Sequence, residues 1–317
     1  MKNNLPIRID LPDGFLEEET RCGHLISQKM KEVWAVELDL LVELLRVCEK
    51  HKIKIFAHGG TLLGAIRHKG MIPWDDDIDM MMFREDYDKL CEIAPNEFKE
   101  PYFFQTAYND VGCTRTHAQL RNSRTTAILK TEKEYATFNQ GIFIDIFPLD
   151  AVVDDRDLFE QQSKQADRLL TKMGRYSRRL SICYDRTATK GLKGTVKAMA
   201  YPFTNVIFRK LNLAEKNFRK FESMCKQYNH IETEKVSVFS FGLDKPELFR
   251  YRCDFEEIIY VPFEFLSIPI GKVYERALVQ QYGDWQKFVV GGSLHGEVFF
   301  DTRKSYTHYI GHIKGAR

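Results

Sequence analysis

The chain is 317 residues long, 44% hydrophobic and 13% aromatic, with 47 Lys or Arg against 45 Asp or Glu. That apolar content is ample for a core in one elaborated domain or two small ones. Seven cysteines, an odd number with no C-x-x-C pair, signal neither a structural zinc site nor a disulfide framework. The opening MKNNLPIRIDLPDGF has no apolar run of signal-peptide length, and no run of ~18 apolar residues follows, so a soluble, cytoplasmic chain with reduced thiols is expected.

After an N-terminal extension over 1–29, SQKMKEVWAVELDLLVELLRVCEKHKI (27–53) carries Val33, Val36, Leu40, Leu41, Leu44, Leu45 and Cys48 at helical spacing. KIFAHGG reads as a short strand ending in two glycines, and TLLGAIRHKG as a short helix that Gly70 stops. Beyond Pro73, DIDMMMF is strand-like, followed by a helix from Arg84 to Ala94. YFFQTAY (102–108) and THAQLRN (116–122) are further expected strands. The clearest strand is GIFIDIFPLDAV (141–152), opened by Gly141 and closed by Pro148. Past Asp154 the pattern turns to helices, roughly 155–180 and 193–229. Strand-like stretches at 236–242 and 258–270 and a helix over 270–285, ended by Gly283, complete the chain. The organisation is a mixed α/β core over 30–154, a basic helical segment over 155–230 and a C-terminal part over 231–317 that completes the site.

Charge is unevenly spread. From Lys164 to Lys220 there are 15 Lys or Arg against Asp167, Asp185 and Glu215, a local excess of +12 that leaves about −10 for the rest of a chain with net charge +2. Within that segment GTVKAMAYPFTNVIFRKL (194–211) carries an apolar stripe of Val196, Met199, Ala200, Phe203, Val206 and Ile207, with Lys193, Lys197, Arg209 and Lys210 at its ends. Such a helix suits peripheral contact with an anionic membrane surface. Packing of the same face on the core, with the charges solvated, is the other reading. Pro202 predicts a kink or two shorter helices.

The stretch IPWDDDIDMMM (72–82) places four carboxylates in five positions before an apolar run. A solvated turn would carry them cheaply. On a strand over 77–82, however, Asp77 and Asp79 point the same way, ~6–7 Å apart, while Ile78, Met80 and Met82 fill the opposite face. Two carboxylates so arranged suit hard cations that take oxygen ligands. A calcium loop of EF-hand type fails, because counting from Asp75 the glycine position holds Met80 and the terminal glutamate position holds Asp86. Upstream, Gly59 and Gly60 let backbone approach a diphosphate, and Thr61 starts a helix whose free N–H groups favour an anion. Asp145, alone among Ile142, Phe143, Ile144, Ile146 and Phe147, is costly there without a cation or hydrogen bonds, and is the natural third carboxylate. Together these make a clamp for in-line displacement at phosphorus. Asp75 is expected beside the ligands or in solvent, and Asp76 in solvent.

HGGTLLGAIRHKGMIPWDDDIDMMM (58–82) resembles the signature of the LicD family of phosphocholine transferases, which includes the fukutin-related proteins; GIFIDIFPLD (141–150) and YGDW (282–285) resemble its further landmarks in the same order. The resemblance runs from about residue 30 to 290 and implies an α/β (α+β) fold with a nucleotidyltransferase-like mixed β-sheet core flanked by helices. It implies that Gly59, Gly60 and Thr61 hold a diphosphate, and that Asp77, Asp79 and Asp145 bind Mg²⁺ or Mn²⁺, as two ions. It further implies a CDP-activated donor, usually CDP-choline, whose phospho-alcohol moves to a hydroxyl of a glycan or lipid-linked glycan with release of CMP. The segment 155–230 matches none of these landmarks.

Lesser candidates surround this set. Arg67 is an expected phosphate contact, Arg being suited to bidentate binding, Arg121 a phosphate or base contact, and Lys69 a weaker phosphate contact. His58 suits a hydrogen-bonded structural role at least as well as a catalytic one. Trp74 suits packing beside Pro73 better than stacking on a base, His295 is a minor candidate for approaching the site from the C-terminal part, and Cys113 bears no mark of a nucleophile. The rivals are transfer of NMP from an NTP, which shares the two-Asp strand, and a basic nucleic-acid-binding module. The second lacks a recognisable motif, and no nucleic-acid partner is expected. A catalytically dead glycan-binding relative is disfavoured by the presence of all three carboxylates.

Overall fold

The computed structural model describes residues 4–130, 138–181, 213–291 and 298–313, with Val196, Met199, Phe203, Ile207, Lys210 and Leu211 between them. In chain order, β1 (Glu19–Arg21) and β2 (His24–Ile26) form a hairpin before α1 (Gln28–His51). Next come β3 (Phe56–Ala57), α2 (Gly59–Arg67), β4 (Asp79–Phe83) and α3 (Arg84–Glu97). Strands β5 (Tyr102–Gln105), β6 (Ala118–Asn122), β7 (Thr126–Leu129) and β8 (Ile142–Val152) lead to α4 (Arg156–Ser181) and α5 (Leu213–Cys225). The remainder is β9 (Lys235–Ser237), β10 (Phe249–Tyr251), the hairpin β11 (Ile258–Phe263) and β12 (Leu266–Gly271), α6 (Tyr274–Tyr282), β13 (Val298–Asp301) and α7 (Tyr306–Ile313). The fold is thus α/β with a mixed sheet flanked by helices, as expected. Among the described residues no helix is long and apolar enough to cross a membrane.

The long strand β8 is the axis of the sheet. On one side it pairs in parallel with β4, which pairs antiparallel with β3. On the other side β6 covers Ile142 to Ile146 and β9 covers Asp150 to Val152. Pro148 therefore does not close the strand as expected. It falls in the gap between β6 and β9, where no ladder partner needs the N–H that proline lacks.

The apolar spacing of 27–53 does produce α1, with Ser27 capping the Met30 N–H and Lys52 ending the helix at φ 55°. Its buried face is wider than the apolar stripe and takes in Lys31, Glu37, Asp39 and Glu43. Asp39 ties the N-terminal extension down by accepting from the Arg8 and Ile9 N–H groups (2.7 and 3.0 Å) and the Tyr102 hydroxyl (2.9 Å). The single strand expected over 258–270 is a hairpin because Glu264 turns the chain at φ 53°. Its carboxylate is held by Arg21 and accepts from the Met71 N–H (2.9 Å). The helical reading of 193–229 holds for α5 and the described positions between 196 and 211, while Pro202 lies outside the described residues.

Candidate active site

The acidic run opens β4 at the edge of the core. The strand begins at Asp79, not Asp77, so Asp77 belongs to the segment leading in. Met80, Met81 and Met82 are all buried. Met80 and Met82 join the main core, while Met81 packs on the other face with Phe56 and Phe147, so both faces of β4 are covered. The parallel register places Asp79 directly beside Asp145, and the Asp145 N–H donates to the Ile78 carbonyl (2.9 Å). Side chains of register neighbours share a face, so the two carboxylates look out on the same side of the sheet.

Helix α2 faces this pair. It starts at Gly59, two residues earlier than Thr61, after His58 in extended backbone with no side-chain cap. The first intrahelical N–H is that of Leu62, so the N–H groups of Gly59, Gly60 and Thr61 stand outside the ladder at the positive end of the helix. Gly59 lies at φ +52°, and a side-chain carbon there would sit 3.2 Å from Asp79 Oδ2; one at Gly60 would sit 2.7 Å from Asp75 Oδ2. The glycines thus admit the carboxylates as well as open the helix end. The Thr61 hydroxyl accepts from the Asp79 N–H (2.8 Å), fixing β4 to α2.

Asp145 is buried and oriented by the neighbouring strand. Its Oδ1 accepts from Gln119 Nε2 (2.6 Å), the register partner across β6, and lies 3.2 Å from His117 Nε2. Arg121 corrects its expected role as a phosphate contact. It is completely buried, donates to Gln105 Oε1 (2.6 Å), the Gly141 carbonyl (2.7 Å) and Gln119 Oε1, and lies over the Phe143 ring. Gln119 links it to Asp145, accepting from Arg121 through Oε1 and donating to Asp145 through Nε2. Arg67 is committed too. Its Nη1 donates to the Trp285 and Lys287 carbonyls (3.0 and 3.2 Å), holding the segment after α6 against α2.

Burial raises Asp77 and Asp79 well above the usual carboxylate range, and the neighbouring carboxylates add to it: Asp79 and Asp75 for Asp77, Asp145 and Asp75 for Asp79. Among the described residues the group of three or more carboxylate, His or Cys ligands whose atoms all lie within 4.8 Å of one another is Asp75, Asp76 and Asp77. Asp77, Asp79 and Asp145 interact electrostatically without closing into such a group. Asp76, expected in solvent, has a buried Oδ1. An all-carboxylate donor set, charged only against its own repulsion, is the chemistry of a hard divalent cation site.

Sequence reading missed much of the wall. Arg250 is buried, donates to Gln281 Oε1 (2.5 Å), and is lowered to about 10 by desolvation. The Tyr282 hydroxyl and Gln281 amide stand 3.9 and 3.8 Å from the carbon position at Gly59, so YGDW reaches the site through its tyrosine. Nothing local marks Arg250; its place depends on β10 reaching α6. His58 is buried against the Phe147 ring, its Nδ1 has no hydrogen-bond partner, and desolvation and Arg250 push its pKa down to about 3. Trp74 packs on the core and meets the His68 ring. Cys113 is buried, with its thiol raised by that burial. Lys69 is exposed at φ 60°, and His295 lies outside the described residues.

A mixed sheet that presents carboxylates from two adjacent parallel strands to an open helix N-terminus defines a nucleotidyltransferase-like domain. Residues 52–168 match the family model described as LicD/FKTN/FKRP, nucleotidyltransferase domain, so this stretch carries a LicD-type nucleotidyltransferase domain. It is 29% identical over 261 residues to the lipopolysaccharide cholinephosphotransferase LicD of Haemophilus influenzae, covering 81% of this chain and 91% of that protein. It is 36% identical over 84 residues to the human ribitol 5-phosphate transferase FKRP, 23% of this chain and 17% of that one. An uncharacterized protein of Rickettsia prowazekii is 44% identical over 62 residues, 19% and 23% of the respective chains.

Proposed function

We propose that the chain is a metal-dependent transferase. It moves phosphocholine, or a similar phospho-alcohol, from a CDP-activated donor to a hydroxyl of a cell-surface glycan or its precursor, releasing CMP. The observation that carries this reading is the pairing of Asp79 with Asp145 opposite the α2 N-terminus. The printed activities of the two named relatives, cholinephosphotransfer and ribitol phosphate transfer, agree in reaction class. Asp77, Asp79 and Asp145 hold Mg²⁺ or Mn²⁺, as two ions. Such ions neutralise diphosphate charge and favour displacement at phosphorus.

The chain's own groups do the rest. Backbone N–H groups of Gly59, Gly60 and Thr61 receive diphosphate oxygens. Gln119, steadied by Arg121, keeps Asp145 turned toward its partners. The acceptor oxygen forms a bond to the phosphorus that bears the alcohol. The bond from that phosphorus to the bridging oxygen breaks, CMP leaves with the electron pair, and the acceptor proton passes to a site carboxylate. Positioning and charge neutralisation supply most of the rate.

The acceptor is met on the basic helices. Between α4 and α5 lies a groove of about 560 Å³ lined by Arg168, Lys172, Arg219 and Lys220. Met199 and Phe203 nearby in sequence are 72% and 76% exposed, and Val196, Ile207 and Leu211 are exposed at the same helical spacing. This stripe and its cations suit an anionic membrane at the inner face of the cell, where a lipid-linked acceptor is reached.

The test is calorimetry with Mg²⁺ or Mn²⁺ on wild type and Asp79→Ala, comparing CDP-choline, CDP-ribitol, CDP-glycerol and CTP. Metal-dependent binding of one CDP-alcohol, lost in the variant, supports the reading and names the donor. Binding of CTP or other NTPs alone replaces it with NMP transfer.

A further inference from the structure

The face of β8 that carries Asp145 also carries Phe147, two residues on, and Phe147 is the hub of an aromatic cluster beside the site. Its ring meets His117 at 4.4 Å, Phe241 at 5.5 Å and His58 at 5.6 Å between centroids. His58 precedes the glycines of α2, and His117 reaches Asp145, so the cluster borders the acidic pocket at two points. Phe147 itself is buried, whereas Phe241 is 44% exposed. Phe241 is therefore the open edge of the cluster.

Local structure turns this ring outward. Phe241 ends a single 3₁₀ turn, Phe239–Phe241, after β9, and Gly242 follows at φ 98°. Phe239 and Leu243 on either side are buried in the apolar core against α4 and α5, which anchors the turn from behind. One exposed phenylalanine would by itself mean nothing. Two further observations single this one out. Among the described residues no Lys or Arg lies over its ring, although the exposed rings of Phe288 and Phe299 each carry one. A carbon placed on Gly242 would stand 3.0 Å from Asp244 Oδ1 and 3.8 Å from Asp167 Oδ1, so two carboxylates meet beside the turn.

An open aromatic face edged by carboxylates is the chemistry that holds a quaternary ammonium, through cation–π attraction and the field of the acids. A neutral polyol would find no partner for its hydroxyls on the Phe147 and Phe241 rings. We infer that Phe241 selects the alcohol of the donor, its ring receiving the quaternary ammonium of choline while the phosphate lies beside Asp79 and Asp145. Phe147 supports the ring from behind, and Asp167 and Asp244 favour the positive charge. This rests on the phospho-alcohol transfer proposed above and narrows its alcohol to a cationic one.

The experiment is calorimetry on the full chain with Mn²⁺, titrating CDP-choline, CDP-ribitol, CMP and the CDP ester of 3,3-dimethylbutanol, which matches choline in shape without its charge. Wild type, Phe241→Ala, Phe241→Leu and Phe241→Trp are compared. Wild type is expected to bind CDP-choline about tenfold more tightly than the uncharged analogue. Phe241→Ala and Phe241→Leu should lose that preference with CMP binding unchanged, and Phe241→Trp should keep it. Phe241→Leu retains apolar bulk, so it reads the same loss if the alanine variant misfolds. A preference that persists in the alanine and leucine variants, or an equal loss of CMP binding, overturns the role of Phe241 and leaves phospho-alcohol transfer standing. So does a wild type that binds the uncharged analogue as tightly, or takes CDP-ribitol in place of CDP-choline. Failure of wild type to bind any CDP-alcohol overturns both.

Discussion

The acidic pocket and the basic helices handle like charge in opposite ways. In the pocket, Asp75, Asp76, Asp77, Asp79 and Asp145 come from the turn before β4, β4 itself and β8, and are drawn into a partly or wholly buried space. On α4 and α5, Arg168, Lys172, Arg219 and Lys220 stand out in solvent, where water screens them. Arg219 and Lys164 have, in addition, acidic neighbours one turn away at Glu215 and Glu160. Exposed cations cost the fold little, so their presence does not by itself demand a ligand. Concentrated buried carboxylates must be neutralised, by protons or by a cation. That difference is why the proposed function places a cation at the pocket and only an anionic class of partner at the helices.

Four measurements sharpen or break that contrast. The largest effect is expected at the pocket. Asp79→Asn should lower transfer by about 10³-fold through loss of a charged ligand beside the transferring phosphorus, with the fold intact by circular dichroism. Near-normal turnover would place the chemistry elsewhere.

Next is the joint between the two regions. Arg84 on α3 binds Asp150 of β8 through two short bonds (2.8 and 2.6 Å) and reaches Glu222 of α5 at 3.3 Å, while Asn229 donates to Asp150 (2.7 Å). Arg84→Met leaves Asp150 buried without its cation and should destabilise the chain by about 3–5 kcal/mol in urea unfolding. A loss under about 1 kcal/mol would mean the two regions are joined mainly by their apolar contacts.

On the helices, Phe203→Asp should weaken sedimentation with anionic vesicles about tenfold, an effect near 1.4 kcal/mol, while turnover on a water-soluble acceptor is unchanged. Equal binding by the variant would return the exposed stripe to a role in packing.

The smallest effect is a dependence on pH. Asp77, Asp79 and Glu37 have folded-state pKa values above their unfolded ones. Their protons stabilise the metal-free fold fully below about pH 4, and this stability is lost as pH rises through the raised values. A bound divalent ion takes over from those protons. The Tm gained on adding Mg²⁺ should be greater near pH 8 than near pH 5.5, by about 2–4 °C in differential scanning calorimetry. An equal gain at both values would mean that the ion and the protons do not compete.

Local pattern was enough for several elements. The 3.6-residue spacing of Val33 through Cys48 defines α1, and Ile142 through Phe147 can only be a strand, because neither arrangement has another low-energy way to bury its apolar side chains. The charge crowding of 75–79 and the isolation of Asp145 likewise mark candidate cation ligands without coordinates, since each would be unfavourable with nothing bound. Other decisions needed the tertiary structure. Only the parallel register sets Asp79 beside Asp145, and only the gap between β6 and β9 lets Pro148 sit inside a strand. Arg121 looks like any strand arginine until β5 and β8 enclose it and turn it toward Gln119. Glu37 is one acid among several on an amphipathic helix until packing leaves it 1% exposed. The reason is common to all four. Sequence records which groups are costly to bury, and the contacts made across distant segments decide which of them are buried together.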